Sequence, residues 1–122
     1  MRREELYLAD IIEQADAIEV SLRGVDRAAF LADRDKRDAV LLKLIIIGEA
    51  AARVPKALRE RNPQVRWADI IALRNTSVHV YFGIKWEAVW LAASVDTPNL
   101  RRLVADILAQ EFPGRLPFTQ GE

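Results

Sequence analysis

The chain has 122 residues, 51% of them hydrophobic, with 18 basic and 18 acidic side chains and a formal net charge of zero. That length suits one domain, with a core small enough to gain from oligomerisation. The balanced charge argues against a protein that coats nucleic acid without preference, though not against a local basic patch. No cysteine and a single histidine exclude disulfides and thiolate metal sites, and speak against a zinc centre within one protomer; no metal or other cofactor is expected.

Leu8, Ile11, Ile12, Ala15, Ile18 and Leu22 repeat at helical spacing, which predicts a first helix over Glu4 to Leu22 stopped by Gly24. Val25 to Asp33 reads as a short connector anchored by Phe30 and Leu31. Asp35 to Val54 reads as a second long helix closed by Pro55. Its stretch from Val40 to Ile47 is apolar on nearly every side, so burial on more than one side is expected. Either the chain's own helices or a second copy could supply the outer cover. Glu49 falls between Leu42, Ile45 and Ala52, facing inward, where it needs a cation. Arg74 could supply it; alternatively Glu49 reaches the surface and meets Arg53 one turn on.

Lys56 to Arg66 carries Lys56, Arg59, Arg61 and Arg66 around the turn signal Asn62-Pro63. It is either a solvated short helix and loop, or a rim in which Arg53, Lys56 and Arg66 contact phosphate. Trp67 to Phe82 reads as one helix ended by Gly83, with Trp67, Ile70, Ile71, Leu73, Val78 and Tyr81 apolar. On a continuous helix Arg74 lies in the middle of the apolar face, while Asn75 and His79 share an adjacent edge. Asp69 and Thr76 point to water, and the Tyr81 ring is partly buried with its hydroxyl at a rim. Trp86 to Ala93 is a further helix burying Trp90 and Leu91. Asp96-Thr97-Pro98 marks a break and restart. Leu100, Leu103, Val104, Ile107 and Leu108 stripe the last helix, and residues 112–122 form a tail beyond a domain of residues 1–111. There is no repeat, glycine-rich phosphate loop or strand-like alternation, so the expected fold is an all-α bundle of four or five helices. The apolar run Leu44 to Ile47 is far too short to cross a bilayer, and no signal-type segment follows the charged N-terminus; a cytoplasmic protein with no membrane partner is expected.

Arg74-Asn75, three residues, then His79-Val80-Tyr81 resembles the R-x4-H-x-Y motif of the HepT-like ribonuclease toxins, a branch of the HEPN superfamily of helical nucleases and nucleotide-binding domains. Pro63 to Trp67 resembles that family's lead-in, Gly48-Glu49-Ala50 its mid-chain signature, and Tyr81-Phe82-Gly83-Ile84 with Val89-Trp90 its exit from the motif, so the likeness covers roughly residues 5 to 110. The departures are Thr76-Ser77, where many relatives are bulkier and apolar, and Lys85, where an acid is common. None touches Arg74, His79 or Tyr81.

The resemblance implies a HEPN-like homodimer that cleaves RNA and is silenced by a nucleotidyltransferase antitoxin, which transfers AMP to the tyrosine matching Tyr81. RNA cleavage without metal requires a base for the 2′-hydroxyl, a donor for the phosphorane charge and an acid for the leaving oxygen. Histidine serves as base or acid near neutral pH, and arginine grips phosphate through two donors. Arg74 and His79 are therefore the candidate catalytic pair, with Asn75 and Glu49 supporting. One histidine does not readily make both proton transfers, whereas two motifs facing across a two-fold axis supply two. The duller alternatives are a carbonyl-capping His79, a structural Arg74 ion pair and a core Tyr81. They belong to a different reading, a non-catalytic HEPN partner that binds a nucleotidyltransferase or a nucleotide.

Overall fold

Apolar residues at three- and four-residue spacing wind this chain into helices in a computed structural model that describes residues 3–76 and 78–114, without the side chains of Val78 and His79. The helices are α1 (Arg3–Leu22), α2 (Arg27–Ala32), α3 (Arg34–Arg53), α4 (Lys56–Arg61), α5 (Trp67–Ala72), α6 (Val78–Tyr81), α7 (Trp86–Leu91) and α8 (Thr97–Glu111). A 3-10 turn, Leu73–Asn75, ends α5, and a π segment, Ala92–Asp96, joins α7 to α8. Among the described residues there is no strand, and no helix is long and apolar enough to cross a membrane. The all-α architecture agrees with the periodicity.

α1 packs along α3 and α8, and these three helices make the core. Leu8, Ile11 and Ile18 of α1, Val40, Leu44 and Ile47 of α3, and Val104, Ile107 and Leu108 of α8 are all essentially inaccessible. Each such side chain contributes roughly 1.5–3 kcal/mol relative to an exposed one. Phe30, fully buried, fixes α2 on this core and packs its ring 5.4 Å from Trp90. The termini of α2 and α3 are set locally: Asp26 accepts from the Ala29 amide and Asp33 from the Lys36 amide. Both bonds satisfy a first-turn donor that the helix leaves free.

Asn62 is more than a turn residue. It is 5% exposed, and its amide nitrogen donates to the Leu58 carbonyl and to Glu111 at 2.9 and 2.8 Å. Its carbonyl accepts the Trp67 indole N–H at 2.9 Å. The buried Asn62 side-chain nitrogen and the Trp67 indole N–H are thereby satisfied, and the start of α5 is pinned to the end of α8.

Four sequence expectations need correction. First, residues 67–82 are not one helix: α5 tightens into the 3-10 turn, and Thr76 is extended at φ −67° and ψ 126° before α6 begins. Asn75 and Thr76 carry short polar or β-branched side chains that compete with helical hydrogen bonding, and here that local preference wins. Second, there is no break at Asp96-Thr97-Pro98. The chain stays helical, and the Thr97 amide and hydroxyl both bond the Ala92 carbonyl, the hydroxyl at 2.8 Å. This five-residue register admits Pro98, which lacks a donor and would clash in an ordinary turn. Third, Leu91, the last residue of α7, is 56% exposed rather than buried. Fourth, Phe112 is 4% exposed and its amide bonds Leu108, so the packed region reaches one residue past α8. Residues 115–122 of the proposed tail lie outside the described residues. The apolar segment of α3 is buried on one side only, with Leu42 57% and Ile46 37% exposed on the other.

Candidate functional site

The motif segment docks on α3 at two places, one on each side of Thr76. The first is a backbone contact at Gly48. A Cβ at this position would stand 2.7 Å from the Arg74 amide nitrogen, 2.8 Å from the Ile70 carbonyl oxygen and 3.1 Å from the Leu73 side chain. Only glycine allows α5 and its 3-10 turn to lie this close. A glycine inside a helix costs about 1 kcal/mol relative to alanine, so close packing is the physical return on its presence in the Gly-Glu-Ala stretch.

That contact also explains why Arg74 does not point inward. Its backbone occupies the inner position, and the 3-10 turn swings the guanidinium out, where the side chain is 44% exposed. Glu49 is likewise not buried; its side chain is 46% exposed. Both proposed partners of Glu49 are present. Arg53 Nε donates to Glu49 Oε2 at 2.9 Å, while Arg74 Nη1 lies 3.7 Å from Oε1. Glu49 therefore sits between two arginines on an open face, leaving one net positive charge. At this exposure each pair contributes no more than about 1 kcal/mol to stability. Among the described residues Glu49 is the one charged partner found for the Arg74 guanidinium, which carries five donors, as a phosphate ligand requires.

Asn75 is exposed at the end of the 3-10 turn. The extended Thr76 separates it from His79, so the one-turn spacing expected of a continuous helix does not hold. The backbone of His79 lies in α6, two residues before Tyr81; its side chain, and Ser77 altogether, lie outside the described residues. Of the proposed phosphate contacts, only Arg53 joins Arg74, through their common Glu49. Lys56 pairs with Glu60 and Arg66 with Asp69, each within or beside its own helix.

The second docking point is Tyr81. Its hydroxyl donates to Asp38 Oδ1 of α3 at 2.7 Å. Its ring meets Phe82 and Trp86 edge-on, with centroids 5.6 and 5.7 Å away. Trp86 in turn carries the Arg37 guanidinium 4.8 Å from its ring centroid, and Arg37 donates to the Leu31 carbonyl. The ring is partly buried, as expected, but against α3 and α7 rather than beside Ile70 and Arg74. The hydrogen bond to Asp38, and secondarily partial burial, hold the phenol above its usual pKa. Asp38 was not among the residues singled out from the sequence. It stands 43 positions before Tyr81, in a mixed-charge run, Asp35-Lys36-Arg37-Asp38, that reads as a solvated face.

Comparisons with known proteins identify the family. A family model described as "Ribonuclease HepT-like" matches residues 11–107. The chain is 30% identical to a "Putative RNase" of Caldanaerobacter subterraneus subsp. tengcongensis over 91% of its own length and 99% of that protein. It is 33% identical to a "Putative RNase" of Methanocaldococcus jannaschii over 84% of this chain and 94% of the relative. It is 32% identical to a "Probable ribonuclease HepT" of Thermococcus cleftensis, covering 82% and 91% of the two chains. No solved structure matches it significantly. The matched span contains every element described above from the middle of α1 to the last turns of α8, including Gly48, Arg74, His79 and Tyr81, and on that ground the chain belongs to the HepT-like ribonuclease family.

Proposed function

We propose that this protein is a metal-independent endoribonuclease of the HEPN type, the toxin of a toxin–antitoxin pair, and that Arg74 and His79 perform the cleavage. The supporting observation is the outward, half-exposed Arg74, held over α3 by the Gly48 contact and standing beside Glu49 and Arg53. Such a group binds a phosphodiester in two-donor fashion and stabilises the extra charge that develops on phosphorus. His79, a few residues on, takes the 2′-hydroxyl proton or protonates the leaving oxygen, with a 2′,3′-cyclic phosphate as the first product. Asn75, exposed next to Arg74, is a second donor for the same phosphate.

In this reading the working unit is a homodimer, because one histidine then serves as base and its symmetry mate as acid. Leu42 and Ile46, exposed on the outer face of α3 and on the same helix as Glu49 and Arg53, give that dimer an apolar seam. Silencing comes from a nucleotidyltransferase partner that adds AMP to the Tyr81 hydroxyl, placing bulk and negative charge near the RNA phosphate path.

The test is cleavage of single-stranded RNA by purified protein in EDTA. Wild type should cut, and His79→Ala should not. Activity lost in EDTA and restored by magnesium would contradict the metal-independent mechanism. Light scattering at micromolar concentration should report a dimer, and a monomer would remove the two-histidine scheme.

A further inference from the structure

The Tyr81 hydroxyl meets one acceptor, the Asp38 carboxylate, at 2.7 Å. No ion pair or other hydrogen bond of Asp38 is found among the described residues, so this carboxylate faces the phenol as its one strong partner. The remaining charges that act on the phenol are Arg34 and Arg37, on the same helix as Asp38. On its other sides the ring meets two uncharged rings, Trp86 and the 84% exposed Phe82; the charges at the start of α7 are Lys85, its N-cap, and Glu87, which is already paired with Arg27. Arg37 is committed to Trp86 and to the Leu31 carbonyl, whereas no ion pair of Arg34 is found among the described residues. A phenol hydrogen-bonded to a carboxylate, with a free arginine one helical turn from that carboxylate, is an arrangement suited to attack on an anionic electrophile.

We propose that Asp38 is the general base that activates the Tyr81 hydroxyl for nucleotidyl transfer, with Arg34 drawing the triphosphate to it. This rests on the reading of Tyr81 as the modified residue. The Tyr81 oxygen forms a bond to the α-phosphorus of ATP and the bond from that phosphorus to the bridging oxygen of pyrophosphate breaks. Pyrophosphate leaves with the electron pair, and the phenolic proton passes to Asp38. The modified residue has no hydrogen to donate, and its phosphodiester is anionic. The contact that holds Tyr81 against α3 is therefore consumed by the reaction, and a re-ionised Asp38 repels the adenylyl group, while Arg34, one turn earlier on the same helix, attracts it.

A base of this kind contributes about 100-fold or more to the rate. The carboxylate also makes the free phenolate harder to form, so its removal lets the hydroxyl ionise more readily in alkali. Asp38→Asn keeps an acceptor oxygen and the shape of the contact but cannot take the proton. The experiment follows AMP addition by intact mass spectrometry, with the partner nucleotidyltransferase, ATP and magnesium, from pH 6 to pH 10. The fold of each variant is verified by circular dichroism. The expected result is modification of wild type at Tyr81 and a loss of about 100-fold in Asp38→Asn near pH 7 that shrinks towards pH 10. Asp38→Ser, smaller and also uncharged, should repeat that pH-dependent loss. Asp38→Asn within threefold of wild type at pH 7 would overturn the role of Asp38 and leave the modification of Tyr81 standing. An equal loss at every pH would assign Asp38 a merely positional part, and would also overturn it. Wild type that gains no AMP on Tyr81 would remove both the modification and its base.

Discussion

The two ends of the motif segment are fastened to α3 by different means. Arg74 is placed by backbone against backbone: the 3-10 turn lies on Gly48 with no room for a Cβ, and the guanidinium is carried outward as a consequence. Tyr81 is placed by one side-chain hydrogen bond to Asp38 and two edge-on ring contacts. A backbone contact cannot be altered without moving a helix, whereas a hydroxyl can be modified in place. The group expected to grip RNA thus stands on the rigid attachment, and the group expected to be regulated stands on the one that chemistry can undo.

The largest effects should come from the reacting groups. Arg74→Ala and His79→Ala should each reduce RNA cleavage by at least about 100-fold, read from initial rates on a labelled oligonucleotide. Because Arg74 and Glu49 are half exposed, Arg74→Ala should cost less than about 1 kcal/mol in urea unfolding, not the several expected of a broken buried pair. A loss of 3 kcal/mol or more would mean that Arg74 is structural after all.

Gly48→Ala tests the rigid side directly. The added methyl must push the Arg74 amide and Ile70 carbonyl away from α3. A loss of about 1–3 kcal/mol is expected, with a melting temperature lower by several degrees and cleavage reduced together with it. Tyr81→Phe tests the other side. It should keep the ring contacts, fold and melt nearly as wild type, and gain no AMP when produced with the nucleotidyltransferase. If that variant is still modified, another hydroxyl such as that of Tyr7 is the target.

A smaller effect separates the two sides by pH. Glu111, bound by Arg61 and Asn62, is held below its ordinary carboxylate pKa. Its stabilisation is therefore complete above the unfolded carboxylate value and is lost as pH falls through the lowered folded one. Acid should loosen the Asn62–Trp67 hub first, on the Arg74 side. The Tyr81 pKa is raised, so its stabilisation is complete below the unfolded phenol value and is lost as pH rises through the folded one. Alkali should loosen the Tyr81 side. The indole N–H resonances of Trp67 and Trp86, followed by NMR across both ranges, should shift in that order, and a common response would show one cooperative unit.

Much of this architecture can be read from residue patterns. The stripes of α1, α3 and α8 follow from apolar spacing, because burial on a three-helix core is what that spacing records. The interruption at Thr76 was harder to see, since Val78 and Tyr81 keep the apolar period through it. Its signal was Asn75-Thr76, weak local preferences that prevail only because the turn is already fixed on Gly48. The continuous-helix reading therefore put Arg74 on the wrong side. The choice of partner for Glu49 was legible as a pair of options, and the surface geometry admits both. Asp38 was not legible at all: its contact with Tyr81 depends on how α6 lies on α3, and no local spacing encodes that.

The most direct measurement is the chemistry of the RNA ends. Wild-type protein incubated with a defined single-stranded RNA in EDTA should leave 2′,3′-cyclic phosphate on the upstream fragment and a free 5′-hydroxyl on the downstream one, and neither Arg74→Ala nor His79→Ala should produce these ends. Fragments carrying 5′-phosphate, or cleavage that persists unchanged in either variant, would contradict the assignment of the reaction to Arg74 and His79.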